Sequence, residues 1–573
     1  LGDDEKRTEG EAAPAPAARG GRGGATLVAL GIFLSRIAGL VRERVFAHYF
    51  GNSVAGGVFK AALRIPNALQ NLFGEGVLSA SFIPVYAKLR AEGKEELADR
   101  VAGVVGSFLA LFLAMVVAAG MIFSRSIVIL IAPGFEGEAH ELAVSLVRIL
   151  FPGIGLLVMS AWCLGILNSH RRFFISYTAP VLWSVAMIAA MIGFGRKVDQ
   201  ERLAIILAWG TVVGSALQFG VQLPHVFSLA RHLHFGLDRA LEPVKTVFRN
   251  AGPVIVGRGV VQVSAFVDTM IGSFLGAAAV AGIAYAQTLY MLPVSLFAMS
   301  IAAAELPEMS GAVGTHSEIA EKLRARIAAA QRQVAFLVVP SLVAFLTIGT
   351  SLVSGLFETG KFGHEDTIYV TWILGGYAVG LLAVTVSRVY SSAFYALRDT
   401  KTPLKFAAIR VAVAIVLGLS LAMPLRPWLV ALAIRAGVTL PAVDNAELAV
   451  GAVGLAIAGG AASWIELTLL RRALARKIGA TPMSGSFISK IWGAALAAGV
   501  AGALFSAEVA GFVVALLPSK FGLHRVGGAV AVAAVFGVVY LGVAGALRVD
   551  EVGGLLRRLR RRPVARASRR GNS

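Results

Sequence analysis

The chain predicts an all-α polytopic membrane protein of about fourteen transmembrane helices, two six-helix lobes in a pseudo-twofold arrangement plus two C-terminal helices. Three observations carry that expectation. Of 573 residues, 57% are hydrophobic and only 15% are charged, with a mean hydropathy of +0.75, whereas roughly a quarter of residues are charged in soluble domains. Apolar runs of about 20 residues, enough to cross a bilayer as a helix, recur along almost the whole chain without the alternation of a membrane barrel. Lys and Arg concentrate in alternate loops, as the positive-inside rule requires.

In order, the spans are expected at residues 26–49, 54–88, 101–123, 142–167, 176–194, 203–226, 250–275, 278–304, 331–357, 367–396, 404–424, 448–470, 488–516 and 525–547. Span 2 is too long for one simple crossing and contains Pro66, Gly74-Glu-Gly76 and Pro84, so a break around a cavity is expected there. Basic residues follow spans 2 (Lys88, Arg90, Lys94), 4 (Arg171, Arg172), 6 (Arg231, Arg239, Lys245), 8 (Lys322, Arg324, Arg326), 10 (Arg398, Lys401) and 12 (Arg471, Arg472, Arg476, Lys477). That alternation puts both termini in the cytoplasm; Arg196 and Lys197 after span 5 are its main exception.

A weak repeat relates spans 1 and 2 to spans 7 and 8. Gly31-Ile-Phe-Leu-Ser-Arg-Ile-Ala-Gly39 leads to Gly51 as Gly257-Arg-Gly-Val-Val-Gln-Val-Ser264 leads to Gly276, and Ile65-Pro66 finds an echo in Leu292-Pro293. Repeated lobes are a common build for rocking transporters. The expected units are a disordered cytoplasmic tail at 1–24, an N-lobe at 25–238, a C-lobe at 239–477, helices 13 and 14 at 478–550, and a basic cytoplasmic tail at 551–573.

Several classes are set aside. The net charge of +20 lies largely in short loops and in the run Leu556–Arg562, which suits an anionic leaflet rather than nucleic acid. Cys163 is the only cysteine and lies in an apolar stretch, so it is read as packing. Gly355-Leu-Phe-Glu-Thr-Gly-Lys361 lacks the Ser or Thr of a P-loop, because Phe362 follows, and has no preceding strand. His232 and His234 are read as solvated, and no histidine spacing within a helix suits zinc. No nucleophile motif supports an enzyme, and no cofactor or metal is expected.

The candidate chemistry lies in charges within the spans. Arg36 and Arg42 in span 1 each cost at least about 2.5–3.5 kcal/mol at the bilayer centre, so a cavity or an anionic partner is expected. Ser35, Gly39 and Arg42 fall within about 60° on a helical wheel, flanked by Arg36 and Glu43. Arg44 points away and is read as snorkelling near the helix end. Lys60 and Arg64 share a face of span 2. The competing reading pairs these cations with Glu43, Glu75 or helix-end carbonyls. An anionic, lipid-linked diphosphate is the sharper expectation, because it would compensate several arginines.

In span 7, Arg258, Gln262 and Asp268 share a broad face. Asp268 is read either as a proton or cation site or as an arginine partner. Glu305 and Glu308 flank Pro307. Arg388, Arg410 and Glu466 are read as paired or snorkelling.

At Ser35-Arg-Ile-Ala-Gly-Leu-Val-Arg42, Phe50-Gly51, Arg64-Ile-Pro-Asn67, Leu72-Phe-Gly-Glu-Gly76, Ser81-Phe-Ile-Pro84, Ala132-Pro-Gly-Phe135, Gly165-Ile-Leu-Asn168 and Asp399-Thr-Lys-Thr-Pro403, the chain resembles the MurJ/MviN family of lipid II flippases. The resemblance covers roughly residues 26 to 550. It implies a two-lobed transporter in the bacterial cytoplasmic membrane that moves undecaprenyl-diphosphate-linked peptidoglycan precursor to the outer leaflet by alternating access. By the family pattern Arg36 and Arg42 line the cavity, and Arg64 stands where a basic residue is usual. The chain departs at Gly57, where many members carry an acid, at Gln70 and Asn71, and at Thr288, where arginines are usual; Lys60 and Arg258 are the expected substitutes. Lipid II, membrane lipids and other cell-wall synthesis proteins are the implied partners, and membrane potential or a coupling cation the energy source. The alternatives are a cation-coupled drug or polysaccharide exporter of the wider superfamily, and a non-transporting envelope scaffold.

Overall fold

The computed structural model of the chain describes residues 22–298, 315–435, 446–516 and 522–554, with Ile301, Glu305, Glu308 and Met309 between. The N-terminal tail up to residue 21 and the C-terminal tail from residue 555 lie outside the described residues. Among the described residues the regular elements are helices, and one isolated bridge joins Thr359 and Phe362.

The first half comprises α1 (Arg22–Phe50), α2 (Val54–Leu69), a π-helical stretch (Gln70–Leu78), α3 (Ser79–Ala91), α4 (Glu95–Ile122), α5 (Ser124–Ile131), α6 (Gly137–Ser169), α7 (Phe173–Phe194) and α8 (Gln200–Leu229). The second comprises α9 (Glu242–Phe274), α10 (Ala277–Pro293), a second π-helical stretch (Val294–Ala298), α11 (His316–Thr347), α12 (Gly349–Phe357), α13 (His364–Ala396), α14 (Lys401–Ala422), α15 (Arg426–Arg435) and α16 (Ala446–Ile478). The additional pair is α17 (Gly485–Leu516) and α18 (Leu523–Ala546). Each of the fourteen expected spans coincides with one helix or one interrupted helix. The short α5 and α15 fall between expected spans, in stretches expected only as connecting loops.

Eleven helices among the described residues are long and apolar enough to cross a membrane. The three spans not among them are α1, the interrupted α2–α3 and α9, which carry Arg36 and Arg42, Lys60 and Arg64, and Asp268.

The ends of these helices follow local chemistry. Ser53 caps α2 by accepting from the Gly56 amide, Asp199 caps α8 by accepting from the Arg202 amide at 2.9 Å, and Thr315 forms a capping box with Glu318. α1 turns into α2 at Gly51 with φ +58°, and α9 turns into α10 at Gly276 with φ +99°. A side chain is strained at such angles. The internal repeat therefore extends to the turns.

It extends to the breaks as well. Pro66 precedes the first π stretch and Pro293 the second. Proline removes an N–H and crowds the carbonyl one turn earlier, so the helix locally changes its winding, and π-helical widening is frequent at functional sites.

Packing falls into two groups. α6 is surrounded by α2, α4 and α8, with α7 between α1 and α8; α16 packs on α13 and α14, and α11 on α13. The additional helices α17 and α18 pack on each other and on α11 and α12. The halves meet chiefly where α2 lies against α10 and where α3 and the first π stretch lie against α9. At the α2–α10 seam a Cβ on Gly57 would stand 1.8 Å from the Ala277 carbonyl oxygen. No side chain fits there, which accounts physically for the missing acid at position 57.

Candidate functional site

Glu43 organises the charges deep on α1. Its Oε1 accepts from Arg42 Nη2 at 3.0 Å and its Oε2 accepts from Lys60 Nζ. All three side chains are largely shielded, at 17% exposure for Arg42, 10% for Lys60 and 11% for Glu43. Lys60 lies 4.2 Å from the centre of the Phe46 ring, and the Arg42 guanidinium lies 4.7 Å from the Trp183 ring centre. Arg42 Nη1 also reaches Ser184 Oγ at 3.4 Å. Lys60, expected as an added cavity cation, is thus engaged by a carboxylate and an aromatic face. The reason is spatial: side chains from the first turns of α2 reach those of the last turns of α1, as Phe59 also reaches Phe46.

Arg36 is different. It is exposed, and its Nη1 donates to Ser295 Oγ at 2.9 Å, across to the π stretch after α10. A Cβ on Gly39 would meet nothing within 4 Å, so this part of α1 borders open space. Ser35 beside it is half-buried.

Arg64 also crosses between the halves. Its Nη2 donates to Gln287 Oε1, and Gln287 Nε2 donates to Asp268 Oδ2 at 2.6 Å and to the Tyr377 hydroxyl at 2.9 Å. The Tyr377 hydroxyl donates to the same Asp268 oxygen at 3.0 Å. Asp268 therefore makes no direct ion pair with Arg64; an amide stands between them. Thr288, next to Gln287, turns its hydroxyl back to the Ala284 carbonyl at 3.0 Å.

Arg44 does not snorkel. It donates to the carbonyls of Gly355 at 2.6 Å, Leu356 at 2.9 Å and Gly522 at 3.1 Å. Gly355 and Leu356 lie in the last turn of α12, where carbonyls have no intrahelical amide, whereas Gly522 is the N-cap residue of α18. Around it, Lys361 N–H donates to the His48 carbonyl at 2.9 Å, the Tyr285 hydroxyl donates to the Gly51 carbonyl at 2.8 Å, and Arg525 lies 3.2 Å from Glu358. The end of the bundle where α1 becomes α2 is closed by this ring. The P-loop-like segment lies in it as the last turn of α12 and the loop that follows.

Other expected residues fall into structural roles. Arg410 pairs with Glu466 at 3.1 Å, and Arg326 lies 2.7 Å from Glu308 and 3.7 Å from Glu305. The His232 side chain is exposed, as expected, while its backbone amide donates to Asp99 Oδ2 at 3.1 Å. Cys163 is fully buried. The side chains of Glu75, Arg258 and Gln262, and Pro307, lie outside the described residues. No metal-binding cluster of His, Cys, Asp or Glu occurs among the described residues.

Counted together among the described residues, Arg36, Arg42, Lys60 and Arg64 outnumber Glu43, which pairs with two of them, and Asp268, reached from Arg64 through Gln287, by two positive charges. A dianion matches it. A cavity of about 660 Å³, lined by Ile65, Leu69, Phe123, Phe266, Met270 and Ile415 among others, is apolar.

Sequence reasoning missed Gln287, Tyr377, Ser295, Trp183 and Ser184. Gln287 had a signal, since it is an amide within the otherwise apolar Ala284-Tyr-Ala-Gln-Thr-Leu-Tyr290. The others have none, because Ser, Tyr and Trp are ordinary in membrane helices.

Comparison with known proteins gives a consistent result. Residues 46–443 match the sequence profile of a family described as "Lipid II flippase MurJ". A protein named lipid II flippase MurJ from Burkholderia cenocepacia is 33% identical over 381 residues, covering 65% of this chain and 73% of that protein. A probable lipid II flippase MurJ from Haemophilus influenzae is 28% identical over 82% of this chain and 89% of its own length. Among solved structures, a lipid II flippase MurJ in an inward closed conformation superposes with a TM-score of 0.71 at 22% identity, over 92% of this chain and all of that one. An inward-facing multidrug transporter of the MATE family, in the MOP superfamily, gives 0.59 at 18% identity over 79% of this chain and 98% of its own. These two likenesses concern the fold.

Proposed function

The chain belongs to the lipid II flippase MurJ family, and from that premise we propose that it moves lipid II, the undecaprenyl-diphosphate-linked peptidoglycan precursor, from the inner to the outer leaflet of the bacterial cytoplasmic membrane. It is a multi-pass membrane protein, and its work is transport rather than covalent catalysis. The observation that carries this reading is the excess of two positive charges around Arg36, Arg42 and Arg64. A diphosphate esterified at both ends carries about that charge in the opposite sense and accepts charge-assisted hydrogen bonds from guanidinium groups.

With both termini cytoplasmic, the ring around Arg44 closes the outward end. Substrate then enters from the cytoplasmic side between the halves, meets Arg36 and Arg64 at their junction, and displaces the Ser295 and Gln287 contacts. Loss of these cross-links permits the halves to rock, and differential binding to the two arrangements supplies the bias. The isoprenoid chain stays in the bilayer. Asp268, bound among the described residues by the neutral Gln287 and Tyr377, is the position proposed for a coupling cation, with membrane potential as the alternative source of energy.

Complementation of a flippase-depleted bacterium tests the reading. The parent chain is expected to restore growth, and Arg36→Ala and Arg42→Ala, expressed to the same level, to fail. Full rescue by both variants would remove these arginines from the mechanism. Purified protein in liposomes separates the exporter alternative, which requires transport of cationic dyes and indifference to lipid diphosphates.

A further inference from the structure

Gln287 stands between a group that can only donate and a group that can only accept. Arg64 offers N–H groups and no acceptor, while the Asp268 carboxylate offers oxygens and no donor. Both amide protons of Gln287 are committed, at 2.6 Å to Asp268 Oδ2 and at 2.9 Å to the Tyr377 hydroxyl, which leaves its carbonyl oxygen to face Arg64. The charge on Asp268 thus fixes the amide, and the amide engages the arginine. The two ends lie on different halves of the molecule, α2 on one side and α9, α10 and α13 on the other.

We propose that Gln287 is a positioning residue that withholds Arg64 from a diphosphate while the charge on Asp268 is uncompensated. The inference rests on the reading of Arg64 as a diphosphate ligand. The Gln287 carbonyl and a phosphate oxygen compete for one guanidinium. When a cation neutralises Asp268, the charge-assisted hold on the NH₂ group is lost, and only the neutral Tyr377 hydroxyl and the Arg64 contact itself resist a turn of the amide. Turned over, it presents donors to Arg64, which cannot accept them, and the arginine is released to the cavity. Compensation at Asp268 and anion binding at Arg64 then favour each other by the same factor, as linkage requires.

The test is binding of a short prenyl diphosphate, farnesyl diphosphate, to the full chain in lipid nanodiscs. Gln287→Met removes the competing carbonyl and is expected to tighten binding about fivefold or more, within the usual range of such couplings. Gln287→Glu places a carboxylate against Arg64 and is expected to weaken binding by a similar factor. Asp268→Asn is expected to tighten it. A residue that only supports packing would shift both Gln287 variants in the same direction, and that result overturns the proposal. Equal binding by the parent and by Arg64→Gln overturns the reading of Arg64 and the proposal with it. Weaker binding by Arg64→Gln, without opposite shifts at Gln287, overturns the Gln287 role alone.

Discussion

Glu43 carries an unusual burden for one side chain, since two cations from two helices converge on it in a shielded site. Removing one partner of a buried ion pair leaves the other uncompensated, at a cost of about 3–5 kcal/mol. Glu43→Gln is therefore expected to lower the thermal midpoint in detergent strongly, and Lys60→Met in the same chain to recover much of the loss. No recovery would mean that Lys60 and Glu43 do not share one site. Asp399 behaves as a second anchor, in the loop between α13 and α14. Lys477 Nζ at 2.6 Å, and the Thr402 amide and hydroxyl at 3.0 and 2.8 Å, hold its carboxyl down to about 2. An unfolded aspartate titrates near about 3.9. Because the folded value is the lower one, the stabilisation is complete above that pH and is lost as pH falls from about 4 toward about 2. Asp399→Asn is expected to flatten the stability profile in that window, measured by thermal unfolding across pH.

At the scale of elements, the second helix of each half is the specialised one. α2 and α10 each begin after a left-handed glycine, contain a proline and pass into a π stretch. They also pack on each other, at Gly57 against Ala277, and carry Lys60, Arg64 and Gln287. A seam without room for a methyl group keeps these groups in register across the halves. Gly57→Ala is expected to cost about 1–3 kcal/mol through overpacking. It should also abolish a disulfide between cysteines introduced on α2 and α10, made in a Cys163→Ala background. Undiminished cross-linking would show that the seam gives way easily.

For the whole molecule, closure at the α1–α2 end depends on contacts that join α1 to the loop after α12 and to the start of α18. Hydrogen bonds made by a charged donor contribute about 1.5–3 kcal/mol each, so the three carbonyls held by Arg44 weigh heavily in the balance between arrangements. Arg44→Ala is expected to shift the population toward an outward opening. A membrane-impermeant thiol reagent added outside should then label Gly39→Cys, again in a Cys163→Ala background, several-fold faster than in the parent. Unchanged labelling would place the closing contacts elsewhere. The additional helices α17 and α18 are in this sense part of the closing ring, through Gly522 and Arg525, and not only an appendage.

Composition and the spacing of apolar runs by themselves determined the helical class, the fourteen spans and the break in the second, because a bilayer admits few ways to satisfy a backbone. Sequence also singled out Arg36, Arg42 and Arg64, since charge inside an apolar span is costly enough to stand out. Partnership was decided only by tertiary structure. Whether Lys60 faces substrate or Glu43, whether Arg44 reaches water or carbonyls, and whether Asp268 meets Arg64 directly or through Gln287 all depend on residues from 17 to more than 470 positions apart. Hydrogen bonds act over about 3 Å, and nothing in local spacing records which distant helix comes that close.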